Sequence, residues 1–209
     1  DQAETEKALA FAVNCDAVDY LADYCSQTNA ILLHLSTDYV FDGHRNSPYD
    51  ETCSPAPLNI YGMSKLAGEQ RLAEKLTQHI IIRVSAVFSP WRHNFVKMVL
   101  NMARSRDQIT IVNNQITCPT PADDIALMIN QLITTILNGA EPWGYYHYCG
   151  NEAVSWYDFA CAIVSEAKLQ YDEEQQWSEI IPIASEQFPC PATRPSYSVL
   201  NCDKLMDTF

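Results

Sequence analysis

Tyr61 and Lys65 lie four residues apart in Leu58–Leu76 (LNIYGMSKLAGEQRLAEKL). The helix formers after Lys65 predict a helix there, with Gly62 and Gly68 as its weak points. Residues four apart on a helix share one face, a turn from each other. An ammonium in that position favours phenolate, so the phenol is expected to exchange protons nearer neutral pH. By spacing alone the pair also reads as a surface Tyr and Lys near a helix start. Thr37, at the end of the preceding strand, gives the pair a chemical partner, because a strand end and the next helix can meet over one cleft. Phenol, ammonium and hydroxyl then form a carbonyl-reducing set: the phenol gives a proton to oxygen as hydride reaches carbon, and the threonine steadies that oxygen. A capping Thr beside two surface groups is the alternative.

The elements that must position this set alternate between helix and strand. Glu6–Ser26 reads as a helix with Ala10, Val13, Ala17, Leu21 and Ala22 on its apolar face. Ala30–Leu35 reads as a buried strand of a parallel sheet, followed by Ser36, Thr37 and Asp38 and a long loop rich in Gly, Pro and Asp. His79–Val84 is a second buried strand, ending at Ser85. This rhythm belongs to an open α/β sheet, where ligands bind beyond the strand C-termini. Further on, Asn94–Ala103, Pro121–Leu137 and Ser155–Ala167 read as helices, the last with Ser155 as its cap. Ile109–Val112 and Gly144–Tyr148 read as strands. Pro182, Pro189, Pro191 and Pro195 impose an extended tail. A soft boundary falls near residue 86.

Composition narrows the partners. With 13 Lys+Arg against 26 Asp+Glu the formal charge is −13, which argues against affinity for a nucleic-acid backbone. The acidic run YDEEQQWSE at 171–179 reads as a solvated face. Eight cysteines at positions 15, 25, 53, 118, 149, 161, 190 and 202 lack metal-type spacing and read as reduced thiols, which points to the cytoplasm. No stretch approaches a membrane span. Among six glycines none forms GxGxxG, so the phosphate-cradling turn of a nucleotide site is absent from this sequence.

Other polar residues divide by setting. Arg83, inside a strand, needs a buried partner and reads as structural. His34 and His147 read as core or cleft wall, and no set at metal-ligand spacing is present. Arg194, in the proline-constrained CPATRPSYS loop, is suited to grip phosphate bidentately. Tyr145, Tyr146, Tyr148, Trp156 and Tyr157 read mainly as core, with scope for one to stack on a base or sugar.

STDYVFDG at Ser36–Gly43, PLNIYGMSKLAGE at Pro57–Glu69, NFV at Asn94–Val96 and the tail PATRPSYSVLNCDKL together resemble the dTDP-4-dehydrorhamnose reductase family of extended short-chain dehydrogenase/reductases. The resemblance covers nearly the whole chain in consistent order. It implies a Rossmann-like parallel sheet whose N-terminal strands and glycine-rich loop precede Asp1, with a short helical end after Phe209. Residues 1–86 would be the remaining dinucleotide-binding domain, and 87–209 a smaller, mainly substrate-binding α/β region with segments returning to the sheet. Without the preceding loop the chain is expected to be inactive. By position, Thr37, Tyr61 and Lys65 would be catalytic, and Asn14, Ser36, Tyr61 and Lys65 would face NADPH or NADH. Asp38, Tyr39, Asn94, Phe95, Gln115 and Arg194 would face a dTDP-sugar. The implied reaction converts dTDP-4-dehydro-L-rhamnose to dTDP-L-rhamnose. A homodimer is compatible with the resemblance, and some family members need Mg²⁺ at a dimer contact made by glutamates.

Departures from the family pattern are specific. RVSAVFSP stands where the family reads RTSWVYG, so Ala86 replaces a tryptophan of the sugar pocket. NNQITCPT puts Asn114 and Thr117 where the family has Asp and Gly. Two other readings follow: a non-catalytic relative such as the regulatory subunit of methionine adenosyltransferase, and a reductase or epimerase for another nucleotide sugar.

Overall fold

The computed structural model describes residues 2–170 and 175–209. The YDEE portion of the acidic run, 171–174, lies outside the described residues. In chain order the elements are α1 (Gln2–Thr5), α2 (Lys7–Phe11), a π-turn (Ala12–Asp16), α3 (Ala17–Thr28), β1 (Leu32–Thr37), a 3₁₀ turn (Asp38–Val40), α4 (Ile60–Lys75), β2 (His79–Val84) and β3 (Val87–Phe88). There follow α5 (Phe95–Ser105), β4 (Gln108–Val112), β5 (Ile116–Thr117), β6 (Thr120–Pro121) and α6 (Ala122–Leu137). The chain ends with β7 (Gly144–Tyr148), β8 (Val154–Ser155), α7 (Trp156–Gln170), β9 (Glu179–Ile183), a 3₁₀ turn (Ser185–Gln187) and α8 (Asp203–Thr208).

The main sheet has the order β1-β2-β7, all parallel. Every residue of β2 is buried, because helices cover both faces of a parallel sheet. Successive side chains of a strand point to opposite faces. Thus Ile80, Ile82 and Val84 pack with Ile125, Met128, Leu132 and Leu205, while Ile81 packs with Val18, Ala22, Leu72 and Leu76. A separate core forms where α5 and α7 meet the parallel pair β4–β9, around Val99, Ala103, Ile109, Ile111, Ala160 and Val164.

The structure moves several expected boundaries. Asn29 adopts a left-handed conformation (φ 53°), its neighbour Ala30 bonds back to the Cys25 carbonyl, and β1 therefore starts at Leu32. Ser36 and Thr37 consequently belong to the strand, paired with Arg83 and Val84, rather than following it. The first helix is interrupted at Glu6 and by the π-turn that carries Asn14. Gly62 and Gly68, weak points by propensity, are points of close approach. A Cβ on Gly62 would lie 2.2 Å from the Tyr39 carbonyl oxygen, and one on Gly68 would lie 2.0 Å from that of Asn14. Glycine at these positions lets α4 press against both the 3₁₀ turn after β1 and the π-turn.

Arg83 finds its partner in Glu69 of α4. The two are 4% and 0% exposed at the side chain and joined at 2.7 Å, with Arg83 Nε a further donor at 3.1 Å. The guanidinium also lies over the rings of Phe41 and Tyr145 and reaches His147 Nε2 at 3.4 Å. Burial and that positive charge push the His147 pKa down to about 3, so the imidazole is neutral. Its Nδ1 donates to the Tyr49 carbonyl at 2.9 Å, and Nε2 accepts from Arg83.

Candidate active site

The site forms at the C-terminal ends of β1 and β2, under the first turn of α4. Asn59 caps that helix: its Oδ1 accepts from Gly62 N at 2.8 Å, while its Nδ2 donates to the Thr193 carbonyl at 2.8 Å. The cap thus ties the helix carrying Tyr61 and Lys65 to the tail loop carrying Arg194.

Thr37, Tyr61 and Lys65 come together, but not in the expected relation. Tyr61 remains 41% exposed overall, and its phenol faces the Thr37 side chain closely enough for that hydroxyl to act on its pKa. Its pKa is raised: burial is the largest cause, the Thr37 hydroxyl opposes it, and the nearby Asp38 carboxylate adds to it. The Lys65 charge does not hold this phenol down. Shared helical spacing aligns the two Cβ atoms, but the four-carbon stem carries the ammonium to β1, where it donates to the Leu35 carbonyl at 2.7 Å and to His34 Nε2 at 3.2 Å. His34 is neutral, its pKa pushed down to about 4 by burial and by Lys65. Burial in turn lowers the Lys65 pKa, with Glu69 opposing.

The other expected residues separate into three groups. Phe95, Gln115 and Arg194 line one cavity of about 590 Å³ between α5, β4, the start of α7 and the tail loop. Met98, Met102 and Trp156 add apolar wall, and the Phe95 and Trp156 rings sit 4.6 Å apart. Tyr39 sits beside the trio: its ring meets Tyr61 edge-on at 6.2 Å, and its phenol feels the charge of Arg194, a residue of the cavity lining. Ser36 is 4% exposed, and its Oγ has no hydrogen-bond partner among the described residues.

Three expectations are corrected or moved. Asp38 does not line the pocket. It is 4% exposed, its Oδ1 accepts from Thr37 at 3.0 Å and its Oδ2 from Ser85 at 2.8 Å. Asn94 does not reach the cavity lining; it caps α5 through Lys97 N at 3.2 Å and donates to the Ser89 carbonyl at 2.7 Å. Asn14 lies in the π-turn packed against α4, donating to the buried Ser64 Oγ at 3.0 Å.

Sequence reasoning missed Asn59, Thr117 and Ser198. Asn59 carried a readable signal, an Asn just before a helix start. Thr117, one of the departures from the family pattern, meets Ser85 Oγ at 2.9 Å and Ser198 Oγ at 3.4 Å in a buried hydroxyl cluster; nothing in their sequence spacing announces it. The other departure, Asn114, accepts from Ser185 N at 2.8 Å and anchors the tail. Ala86 lies in the turn leaving β2 with φ 42°, a conformation that favours glycine.

A Rossmann-type parallel sheet, with Tyr61 and Lys65 on one helix and Thr37 at the preceding strand end, defines the short-chain dehydrogenase/reductase class. Within it, the chain belongs to the family described as the RmlD substrate binding domain, which matches residues 1–209. The dTDP-4-dehydrorhamnose reductase of Aggregatibacter actinomycetemcomitans is 40% identical over 210 residues, covering 100% of this chain and 71% of its own length. That of Sinorhizobium fredii is 40% identical over 212 residues, covering 100% and 70%. The crystal structure of dTDP-4-dehydrorhamnose reductase from Bacillus anthracis in complex with NADP superposes with a TM-score of 0.90 at 37% identity, over 100% of this chain and 70% of that one. A UDP-galactose 4-epimerase at 20% identity and TM-score 0.73 shares the fold. No described helix is long and apolar enough to cross a membrane.

Proposed function

We propose that this chain is the larger part of an NAD(P)H-dependent reductase that converts the C4 keto group of dTDP-4-dehydro-L-rhamnose to the alcohol of dTDP-L-rhamnose. The observation that carries the reading is the Tyr61 phenol facing Thr37 at the end of β1, a strand end held by Lys65 through the Leu35 carbonyl. The same family and the same arrangement support NADPH as cofactor. We divide the chain at residue 86, with 1–86 as the remaining dinucleotide-binding domain and 87–209 mainly for substrate.

The chain has features that suit such a cofactor. Ser36 presents an unpartnered buried hydroxyl at the strand end. Two of the three Lys65 N–H groups meet the Leu35 carbonyl and His34, leaving a third for a cofactor hydroxyl. Asn14 braces the same helix through Ser64. When bound, the nicotinamide supplies hydride to the substrate carbon. Tyr61 gives its proton to the C4 oxygen, and Thr37 steadies that oxygen beside it. Lys65 fixes α4 to β1 and so keeps the phenol at Thr37. Arg194 takes the diphosphate, with Phe95 and Gln115 lining the nucleotide side and Tyr39 at the junction with the sugar. Among the described residues no group of three or more His, Cys, Asp or Glu is placed to hold a metal ion.

The test is hydride transfer by the intact protein to dTDP-4-dehydro-L-rhamnose, followed by nicotinamide absorbance with NADPH and NADH in parallel. Turnover to dTDP-L-rhamnose is expected. Transfer only to other dTDP- or GDP-sugars would move the reading to another nucleotide-sugar reductase, and binding of no nicotinamide would reject it.

A further inference from the structure

Asp38, buried behind Thr37, is a titratable side chain that the reaction above leaves without a task. The groups bonding its oxygens are hydroxyls from two separate parts of the chain, Thr37 at the end of β1 and Ser85 at the end of β2, with Ser198 of the tail close enough to act on its pKa. Ser85 and Ser198 are joined in turn through Thr117. A hydroxyl has one proton. Thr37 gives its proton to Asp38, while its oxygen accepts Tyr39 N–H at 3.2 Å and faces the Tyr61 phenol, on whose pKa it acts. Asp38 and Tyr61 therefore compete for a single Thr37 proton.

We propose that Asp38 is a positioning residue that sets the direction of the Thr37–Tyr61 hydrogen bond. As a carboxylate it takes the Thr37 proton, and Thr37 can only accept from Tyr61. As the neutral acid, with a proton gained from solvent, it donates to Thr37, whose own proton then turns toward Tyr61 and the reacting oxygen. No bond to carbon changes in this rearrangement.

Both forms of Asp38 are accessible near neutrality. Burial pushes its carboxyl up to about 6, with the Ser198, Ser85 and Thr37 hydroxyls opposing. The titratable groups facing it are the Tyr39 and Tyr61 phenols, both raised by burial, and the Cys118 thiol, lowered by its bond with Cys149. Arg194 acts on Tyr39. The consequence for catalysis rests on the reductase reading; the coupling itself does not.

The experiment is a pH titration by NMR with ¹³C-labelled Asp carboxyl and Tyr Cζ. The Asp38 signal is expected to titrate near pH 6, and the Tyr61 Cζ signal to shift with the same midpoint. In Asp38→Asn the Tyr61 inflection disappears. In Ser85→Ala, which removes one donor to the carboxylate, the shared midpoint moves to higher pH. A Tyr61 signal flat through pH 6, an inflection surviving in Asp38→Asn, or an unmoved midpoint in Ser85→Ala overturns the proposal. Under the reductase reading, the wild-type kcat profile carries the same inflection and Asp38→Asn follows the low-pH limb without one. A protein that couples Asp38 to Tyr61 by NMR yet transfers no hydride rejects the reductase reading alone.

Discussion

Glu69 and Asp38 are both carboxylates withdrawn from solvent, at 0% and 4% exposure, yet their surroundings differ in kind. Glu69 faces the Arg83 guanidinium through several charge-assisted bonds, between two aromatic rings and beside a neutral histidine. Asp38 meets hydroxyls at Oδ1 and Oδ2. A cation fixes the charge of its partner, whereas hydroxyls can reverse donor and acceptor roles and so tolerate either protonation state. The first arrangement fastens α4 to the sheet. The second leaves a titratable group next to the residues that would do the chemistry.

Breaking the paired carboxylate should have the largest effect on stability. Glu69→Gln leaves Arg83 buried without its counter-charge and is expected to cost about 3–5 kcal/mol in urea unfolding. Replacing both partners together, as Glu69→Leu with Arg83→Met, should recover most of that loss, because the destabilisation comes from the stranded charge.

The hydroxyl-lined carboxylate should behave in the opposite sense. Its folded pKa of about 6 lies above the ordinary 3.8, so the folded chain binds this proton more tightly than the unfolded one. Asp38 therefore favours the fold at low pH, and that advantage is lost as pH rises from about 4 to about 6. Asp38→Asn should then stabilise the protein at pH 8 by up to about 3 kcal/mol, with the gain vanishing near pH 4. Calorimetry of the two proteins across that range measures it, and equal destabilisation at both ends would contradict the comparison.

Asn59→Ala touches neither carboxylate and gives the smallest change. Loss of the α4 cap is expected to cost about 1 kcal/mol in thermal unfolding. Because Asn59 also holds the Thr193 carbonyl, KM for the nucleotide sugar should rise as Arg194 loosens, while the pH midpoint of Asp38 stays in place.

How far the sequence carried this picture depends on the range of each interaction. Helices α4 to α7 were legible from periodicity and caps, as was β2 from its uninterrupted apolar run. Strand β1 was displaced because the left-handed turn at Asn29 is invisible in a polar stretch, and because Ser36 and Thr37 look like loop residues although they pair with β2. Strand β9 went unseen since Pro182 interrupts its pattern, a tolerated feature at the edge of a pair. The spacing of Tyr61 and Lys65 announced the site, but not where a flexible ammonium would settle. Asp38 was least legible of all: the resemblance set it against the dTDP-sugar, while its hydroxyl partner Ser85 and its neighbour Ser198 arrive from distant parts of the chain.

The central claim is that Tyr61, held beside Thr37, delivers the proton. The most direct measurement is single-turnover reduction of dTDP-4-dehydro-L-rhamnose by the intact protein and its Tyr61→Phe variant at saturating NADPH. Loss of a general acid predicts a rate lower by about 10²–10⁴-fold with substrate affinity little changed. A Tyr61→Phe variant that reduces the sugar as fast as the wild type would contradict it.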